Sequence, residues 1–302
     1  MPPSERPPTI DPVAAERWAH MPVQPSPWLH EEVARRMTDR LQWIKQQPTA
    51  WAHWQPVRGG LEAHGALLDR FAGAACYVVE SRPELAQQAI ASNAKPWWSP
   101  ARWKAPTQHA APPPDGGVQL VWANMVLHMV SDPQALIAQW HRAISTDGFL
   151  MFSCLGPDTV RELRGIYQSL GWPPSGHAFT DMHDWGDMLV HAGFAEPVMD
   201  MERIRLTYAT PERLLADLRE LGRNLHPERF AALRARGWRD RLYSSLTERL
   251  ADAADQGRLP LTFEIIYGHA FKPAPRVKLS AQSAVSLRDM REMLHRGPPG
   301  AS

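Results

Sequence analysis

Cysteine is nearly missing from this chain: there are two in 302 residues, Cys76 and Cys154, both inside apolar runs of strand-forming residues. Two thiols so placed exclude a disulfide framework or a cysteine-built metal centre and lead us to expect reduced, buried cysteines in a cytoplasmic protein. An excess of charge is missing too. Lysine plus arginine (33) balances aspartate plus glutamate (32), which leaves no basis for nucleic acid or an anionic membrane as the main partner. No apolar run is long enough to span a bilayer. The opening MPPSERPPTIDP lacks the apolar core of a secretory signal. There is no internal repeat.

What the chain has in excess is tryptophan and proline, 13 and 29 residues. Trp43, Trp51, Trp54, Trp97, Trp98 and Trp103 cluster early, as core and loop packing or as the lining of a cleft. Proline dominates residues 1–27, read as an extended arm. With hydrophobic residues at 44% and charged residues at 22%, the remainder has the composition of a packed core.

The clearest organisation lies between Val118 and Asp158. Val118–Ala123 is a short apolar strand ending at Asn124. Asp132-Pro133 starts a helix, since Asp caps it and Pro is tolerated in the first turn. Ala135, Ile137, Ala138, Trp140 and Ala143 recur at helical spacing, Asp147-Gly148 stops the helix, and Phe149–Leu155 is a second apolar strand. Neither strand alternates with polar residues, as expected of parallel strands covered on both faces. Such a unit belongs to an open α/β sheet, whose ligands sit at the C-terminal strand ends. That points Asn124 and Gly156-Pro157-Asp158 at a site.

Around this unit the chain alternates strands and helices. Val33, Met37, Leu41 and Ile44 form one face of a charged helix beginning near Trp28. Thr49–Trp54 reads as a first strand, Gln55–Gly60 as a turn, Leu61–Phe71 as a helix, Ala74–Val79 as a second strand closed by Glu80, and Pro83–Ser92 as a helix. A third strand is expected near Trp97 or Trp103, in a segment otherwise dominated by Pro and Trp. Asp158–Leu170 and a stretch capped by Thr180 or Asp181 read as helices, and Pro197–Tyr208 as a strand. Helices fill 211–256 with breaks at Gly222-Arg223-Asn224 and Gly237, Leu259–Phe271 is a last strand, and 285–295 is a short helix in the tail. This gives a flexible arm over 1–27, a main domain over 28–272 with a helical insertion or lid at 209–257, and a tail over 273–302. The architecture is a doubly wound α/β domain with a substrate lid.

Several blocks, in order along residues 28–272, resemble class I S-adenosylmethionine-dependent methyltransferases. The similarity is greatest to the branch containing malonyl-acyl carrier protein O-methyltransferase of biotin synthesis. These blocks include Trp28-Leu29-His30-Glu31-Glu32, Val118–Asp132, Gly156-Pro157-Asp158-Thr159, Asp181-Met182-His183-Asp184 and Thr262-Phe263-Glu264 with Tyr267-Gly268-His269-Ala270. The resemblance implies a seven-stranded, mostly parallel Rossmann-like sheet, S-adenosylmethionine as cofactor, and an acyl carrier protein or another protein as methyl acceptor. It implies that Glu80 accepts hydrogen bonds from the ribose hydroxyls and that Asn124 lies near the methionine end of the cofactor. His128 either faces the methyl group or packs.

One motif departs from the family. The loop after the first strand normally reads Asp-x-Gly-x-Gly-x-Gly, whose glycines let backbone N–H groups approach the methionine carboxylate. Here it reads His53-Trp54-Gln55-Pro56-Val57-Arg58-Gly59, followed by Gly60. Only Gly59 and Gly60 remain as cofactor-binding candidates in it, with Arg58 as an alternative holder of the carboxylate. For a malonyl acceptor the nucleophile is already ionised at neutral pH, so no general base is required. Arg223 is the candidate to orient it, with Arg203 and Arg164 behind, and Tyr208, His128 and His269 as possible lining. An acidic carrier protein would meet Arg234, Arg236, Arg239 and Arg241 in the insertion. Two alternatives stand beside the methyltransferase: a non-catalytic assembly factor that has lost its cofactor, and a hydroxylase on the same scaffold.

Overall fold

Trp51 of the first strand lies opposite Cys76 on one side and Leu120 on the other, and that register sets the sheet. The computed structural model describes residues 10–22, 26–94, 98, 106–230, 234 and 236–274. Helices α1 (Pro12–His20) and α2 (Trp28–Arg40) precede strand β1 (Ala50–Trp54). A single helical turn, α3 (Pro56–Gly59), and helix α4 (Leu61–Arg70) lead to β2 (Ala75–Val79), α5 (Pro83–Ser92) and a two-residue strand β3 (Gln108–His109). Then come β4 (Val118–Ala123), α6 (Pro133–Ala143), β5 (Ile144–Leu155), α7 (Arg161–Ser169) and α8 (Met182–His191). The chain continues through β6 (Ala195–Tyr208), α9 (Pro211–Leu221) and α10 (Arg236–Leu250) to β7 (Leu259–Phe271). The seven strands form one sheet in the order β3-β2-β1-β4-β5-β7-β6. Strands β1 to β5 run parallel, and β7 is antiparallel to both β5 and β6. The order reverses between β1 and β4, which fixes where a crevice opens above the strand ends.

Both faces of the sheet are covered. On one, Trp51, Leu120 and Trp122 meet Val33 and Met37 of α2, Leu67 of α4, Leu85 of α5, Leu163 of α7 and Leu242 of α10. On the other, Ala52, Val121 and Phe152 meet Ile137 and Trp140 of α6 and Trp185 and Leu189 of α8. Each fully buried side chain of this size contributes about 1.5–3 kcal/mol relative to exposure. Gly268 of β7 faces Phe152 of β5, and a Cβ there would come within 2.1 Å of the ring. Gly268→Ala is therefore expected to destabilise the fold by about 3 kcal/mol through overpacking. An unchanged urea midpoint would show that the ring has room to move.

Several expectations change. Residues 12–20 are a docked helix, not an extended arm: Asp11 caps α1 and accepts from Arg229 at 2.7 Å, and Ile10 and Ala14 pack on Leu225. The third strand is Gln108–His109, beyond both Trp97 and Trp103, which lie outside the described residues with the expected tail helix. Asp147-Gly148 does not separate helix from strand. Strand β5 begins at Ile144 and passes through Asp147, whose φ of 64° is held by its N–H bond to Lys272 O. Gly237 is the second residue of α10. Trp51 and Trp54 are core residues, whereas Trp43 is exposed.

Candidate active site

The loop after β1 is held by residues from three other elements. His30 of α2 donates from Nδ1 to Arg58 O at 2.8 Å, and Glu31 accepts the Leu61 N–H at 2.8 Å, closing the start of α4. Asn124, at the end of β4, donates to His30 O at 2.9 Å and to Gly59 O, and accepts from Ser153 Oγ at 2.6 Å. Both polar atoms of its side chain are thus satisfied and the residue is fully buried. Asn124 is turned inward as a brace between loops, because α2 and α3 cover the end of β4. Gly59 belongs to the same joint, since a Cβ there would meet Asn124 O at 2.7 Å. Gly60 has φ 141°, a conformation that favours glycine, and lies against Ala34 and Glu31. Gln55, at one lost glycine position, nevertheless adopts the left-handed conformation, with φ 54°.

Glu80 lies across this loop at the end of β2. Its Oε1 accepts the Val57 N–H at 2.9 Å. Burial pushes its carboxyl up to about 7, against the backbone bond and the nearby Arg58 and Arg82, which favour the charged form. Beneath the loop is a buried histidine pair. His64 Nε2 donates to Gln108 Oε1 at 3.0 Å, so its Nδ1 accepts from His53 Nδ1, also at 3.0 Å. Both imidazoles are neutral, with burial the main cause, and His64 is pushed down to about 4. His30 is likewise pushed down to about 4 and His128 well below its ordinary value, each chiefly by burial.

These shifts set a pH dependence. A folded pKa near 4 against 6.5 unfolded means that the native state binds fewer protons, so the contribution is complete above pH 6.5 and is lost as pH falls toward 4. Glu80 acts oppositely, losing stability as pH rises from 4.5 to about 7, but it is one group against four. Denaturation midpoints are expected to fall steeply between pH 6.5 and 4, by on the order of 3 kcal/mol for each of His30 and His64. A flat midpoint over that range would contradict this.

At the C-terminal end of β5 a cavity of 550 Å³ opens between the sheet and the 209–257 insertion. Leu155, Leu163, Phe179, Leu218, Leu242 and Trp238 give it apolar walls. His128 and Arg223 both line it, as do Arg164, Arg234 and Arg239. His128 keeps Nδ1 unpartnered, and its carbonyl accepts from His177 Nε2 at 2.9 Å. Arg164 is held by the carbonyls of Pro157 and Thr159. Arg223 bonds only to the carbonyls of Arg219 and Gly222 and has no carboxylate partner among the described residues. Arg234 stacks on Trp238 and Phe230 at the rim.

Three other candidates are not brought here. Tyr208 ends the edge strand β6, packed in the core with Leu214 and Leu259, its hydroxyl unpartnered. His269 faces Phe149 and Phe271. Arg203 pairs with Asp158 at 2.8 Å. The sequence reading missed Trp18 of α1, His177 and Trp238. None belongs to a periodic pattern aimed at the site, and a Trp in a Pro-rich arm carries no signal until the arm is seen to dock.

Comparison with known proteins follows the same outline. The methyltransferase-domain family matches residues 59–152. The chain is 36% identical over 256 residues to malonyl-[acyl-carrier protein] O-methyltransferase of Gallionella capsiferriformans, covering 82% of this chain and 86% of that protein. It is 33% identical over 268 residues to that of Halorhodospira halophila, 85% and 84% of the two chains. A shorter match, 43% identical over 167 residues, relates 54% of this chain to 55% of the Laribacter hongkongensis protein of the same name. Among solved structures, the YcgJ protein of Bacillus subtilis shares the fold at a TM-score of 0.51 and 13% identity, over 80% of this chain and 99% of that one.

Proposed function

Since the chain belongs to the malonyl-[acyl-carrier protein] O-methyltransferase family of S-adenosylmethionine-dependent methyltransferases, we propose that it methylates the free carboxylate of a malonyl group carried on an acyl carrier protein, in the cytoplasm, as a step of biotin synthesis. The observation that carries this reading is an apolar-walled 550 Å³ cavity into which several guanidiniums converge, among them Arg223, which has no carboxylate partner among the described residues. Family membership favours it over the non-catalytic and hydroxylase alternatives. Free, buried Cys76 and Cys154 support a reducing compartment. No described helix is long and apolar enough to cross a membrane.

The residues present fit S-adenosylmethionine. A half-buried carboxylate, Glu80, ends β2 where a ribose diol needs acceptors, and Gly59 passes closer to Asn124 than any side chain would allow. When bound, S-adenosylmethionine supplies a methyl group made electrophilic by the adjoining sulfonium. Arg223 holds the acceptor carboxylate by a bidentate, charge-assisted contact. The leucines and Phe263 strip water from it, which sharpens its nucleophilicity, and orientation supplies much of the remaining rate. His128 stays neutral, so it does not attract the anion away from Arg223, and the ionised acceptor has no proton for it to take. Arg234 and Arg239 at the rim, with Arg236 and Arg241 on α10, offer positive charge to an acidic carrier protein.

Growth without biotin decides the substrate. Expression of this chain in a bacterium deleted for its own malonyl-acyl carrier protein methyltransferase is expected to restore growth. Failure, with the protein present and folded, would sink the assignment.

A further inference from the structure

In most Rossmann-like cofactor sites the loop after the first strand binds an anionic group with free backbone N–H donors. This loop has few to give. Gln55 N–H bonds to Val79 O at 2.7 Å, Val57 N–H to Glu80 at 2.9 Å, Gly59 N–H to Gln55 O at 2.9 Å and Gly60 N–H to Pro56 O at 2.9 Å. Pro56 has no N–H. The substitutions at Gln55, Pro56 and Val57 have therefore turned an open cradle into a closed helical turn. A carboxylate above it must find its donors on side chains.

Arg58 presents such a donor. Its guanidinium lies 3.9 Å from the centre of the Trp18 ring, and Nη2 donates to the carbonyls of Trp18 at 2.8 Å and Met21 at 3.3 Å. Nη1 is buried and bonds to nothing. The group borders a cavity of 190 Å³ with Trp18, Met21, His30 and Arg223. Arg223 approaches the same indole ring at 5.4 Å, and the buried Nε of Arg82 also lacks an acceptor. Arg58, Arg219 and Arg223 thus border this cavity with Glu220 as its one lining acid among the described residues, while Arg82 and Glu80 lie near enough to act on Arg58. Burial lowers the Arg58 pKa to about 10, and Arg82 and Arg223 push it the same way while Glu80 opposes them. A buried cation with an unused donor and uncompensated positive neighbours is matched by an anion.

We propose that Arg58 anchors the carboxylate of the cofactor's methionine moiety through its free Nη1, in place of the backbone cradle that the loop has closed, with α1 holding the guanidinium in position. Helix α1 is then part of the binding site. The carbonyls of Trp18 and Met21 fix the rotamer of Arg58, and the indole ring covers it. Arg223 borders both cavities and separates the two anions, one in each. This rests on reading the cleft as an S-adenosylmethionine site.

The test compares S-adenosylhomocysteine with its decarboxylated analogue, which keeps the nucleoside, thioether and amine, by calorimetric titration of the full chain. The wild type is expected to prefer the carboxylate-bearing ligand by about 10- to 100-fold. Arg58→Met should erase that preference while changing affinity for the analogue by less than about threefold, and Arg58→Lys should restore part of it. A preference that survives in Arg58→Met would overturn the proposal. So would equal weakening of both ligands, which would mean that Arg58 only props α1 in place. If the wild type retains neither nucleoside, the cofactor reading of the cleft fails, and the proposal with it.

Discussion

Glu80→Gln is expected to weaken binding of S-adenosylhomocysteine by on the order of 100-fold while leaving the fold intact. The two effects separate because the carboxylate has two tasks. One oxygen receives the Val57 N–H at 2.9 Å and thereby pins the loop, and an amide oxygen does that equally well. The other side of the carboxylate is what a ribose diol requires: two acceptors on one planar group, charged and partly out of water, where hydrogen bonds are strong. Glutamine offers one acceptor and replaces the other with a donor. Because burial holds the Glu80 carboxyl up at about 7, wild-type affinity should also rise as pH increases through 7, since the ligand selects the ionised form. That rise should vanish in the glutamine variant. Calorimetry across pH, with circular dichroism as the control for folding, reads both. Unchanged affinity in Glu80→Gln would place the diol elsewhere.

Arg223→Met should lower kcat/KM for a malonyl acceptor by about 100-fold, with little change in affinity for the nucleoside. This arginine has no acid to give up, since its fixed contacts are to carbonyls of its own segment, Arg219 and Gly222. Apolar cavity walls make the absence of the guanidinium costly, because Arg164 is tied to the carbonyls of Pro157 and Thr159 and Arg234 is stacked at the rim, which leaves the carboxylate poorly paired in a low-dielectric space. Arg223→Lys should rescue little, as one ammonium cannot reproduce a bidentate fork. A carboxylate-free acyl group bound equally well by wild type and variant would confirm that the loss belongs to the anion. If Arg223→Met instead depressed all acyl substrates alike, the residue would be shaping the 209–257 segment.

The sheet was legible wherever burial imposed a pattern. Val118–Ala123 and Leu259–Phe271 are strands with the boundaries read from their apolar runs, because both lie in the sheet interior, where burial keeps most positions apolar. Strand β3 was not, since two residues at an edge carry no period. Nor was the docking of α1, whose hold on the domain is the Asp11–Arg229 pair and a small cluster on Leu225, contacts more than 200 residues distant in sequence. Glu80, His128 and Arg223 stand out in the sequence at strand ends and a loop break, and the structure places Glu80 across the loop after β1 and the other two in the wall of the 550 Å³ cavity. Asn124 was assigned to the cofactor from its position after β4, but that position is covered here, so a residue at a strand end became a brace. The loss of glycine at Gln55 and Val57 was visible in sequence. Its consequence, a closed turn whose N–H groups face inward, was not, because hydrogen-bond direction is a property of the folded backbone.

The most direct measurement mixes the purified chain, S-adenosylmethionine and malonyl-acyl carrier protein, and follows the carrier protein by mass spectrometry. A gain of one methyl group, absent when the acyl group lacks a free carboxylate, is the predicted result. Tight retention of S-adenosylmethionine with no methyl transfer to the malonyl carrier would contradict the account.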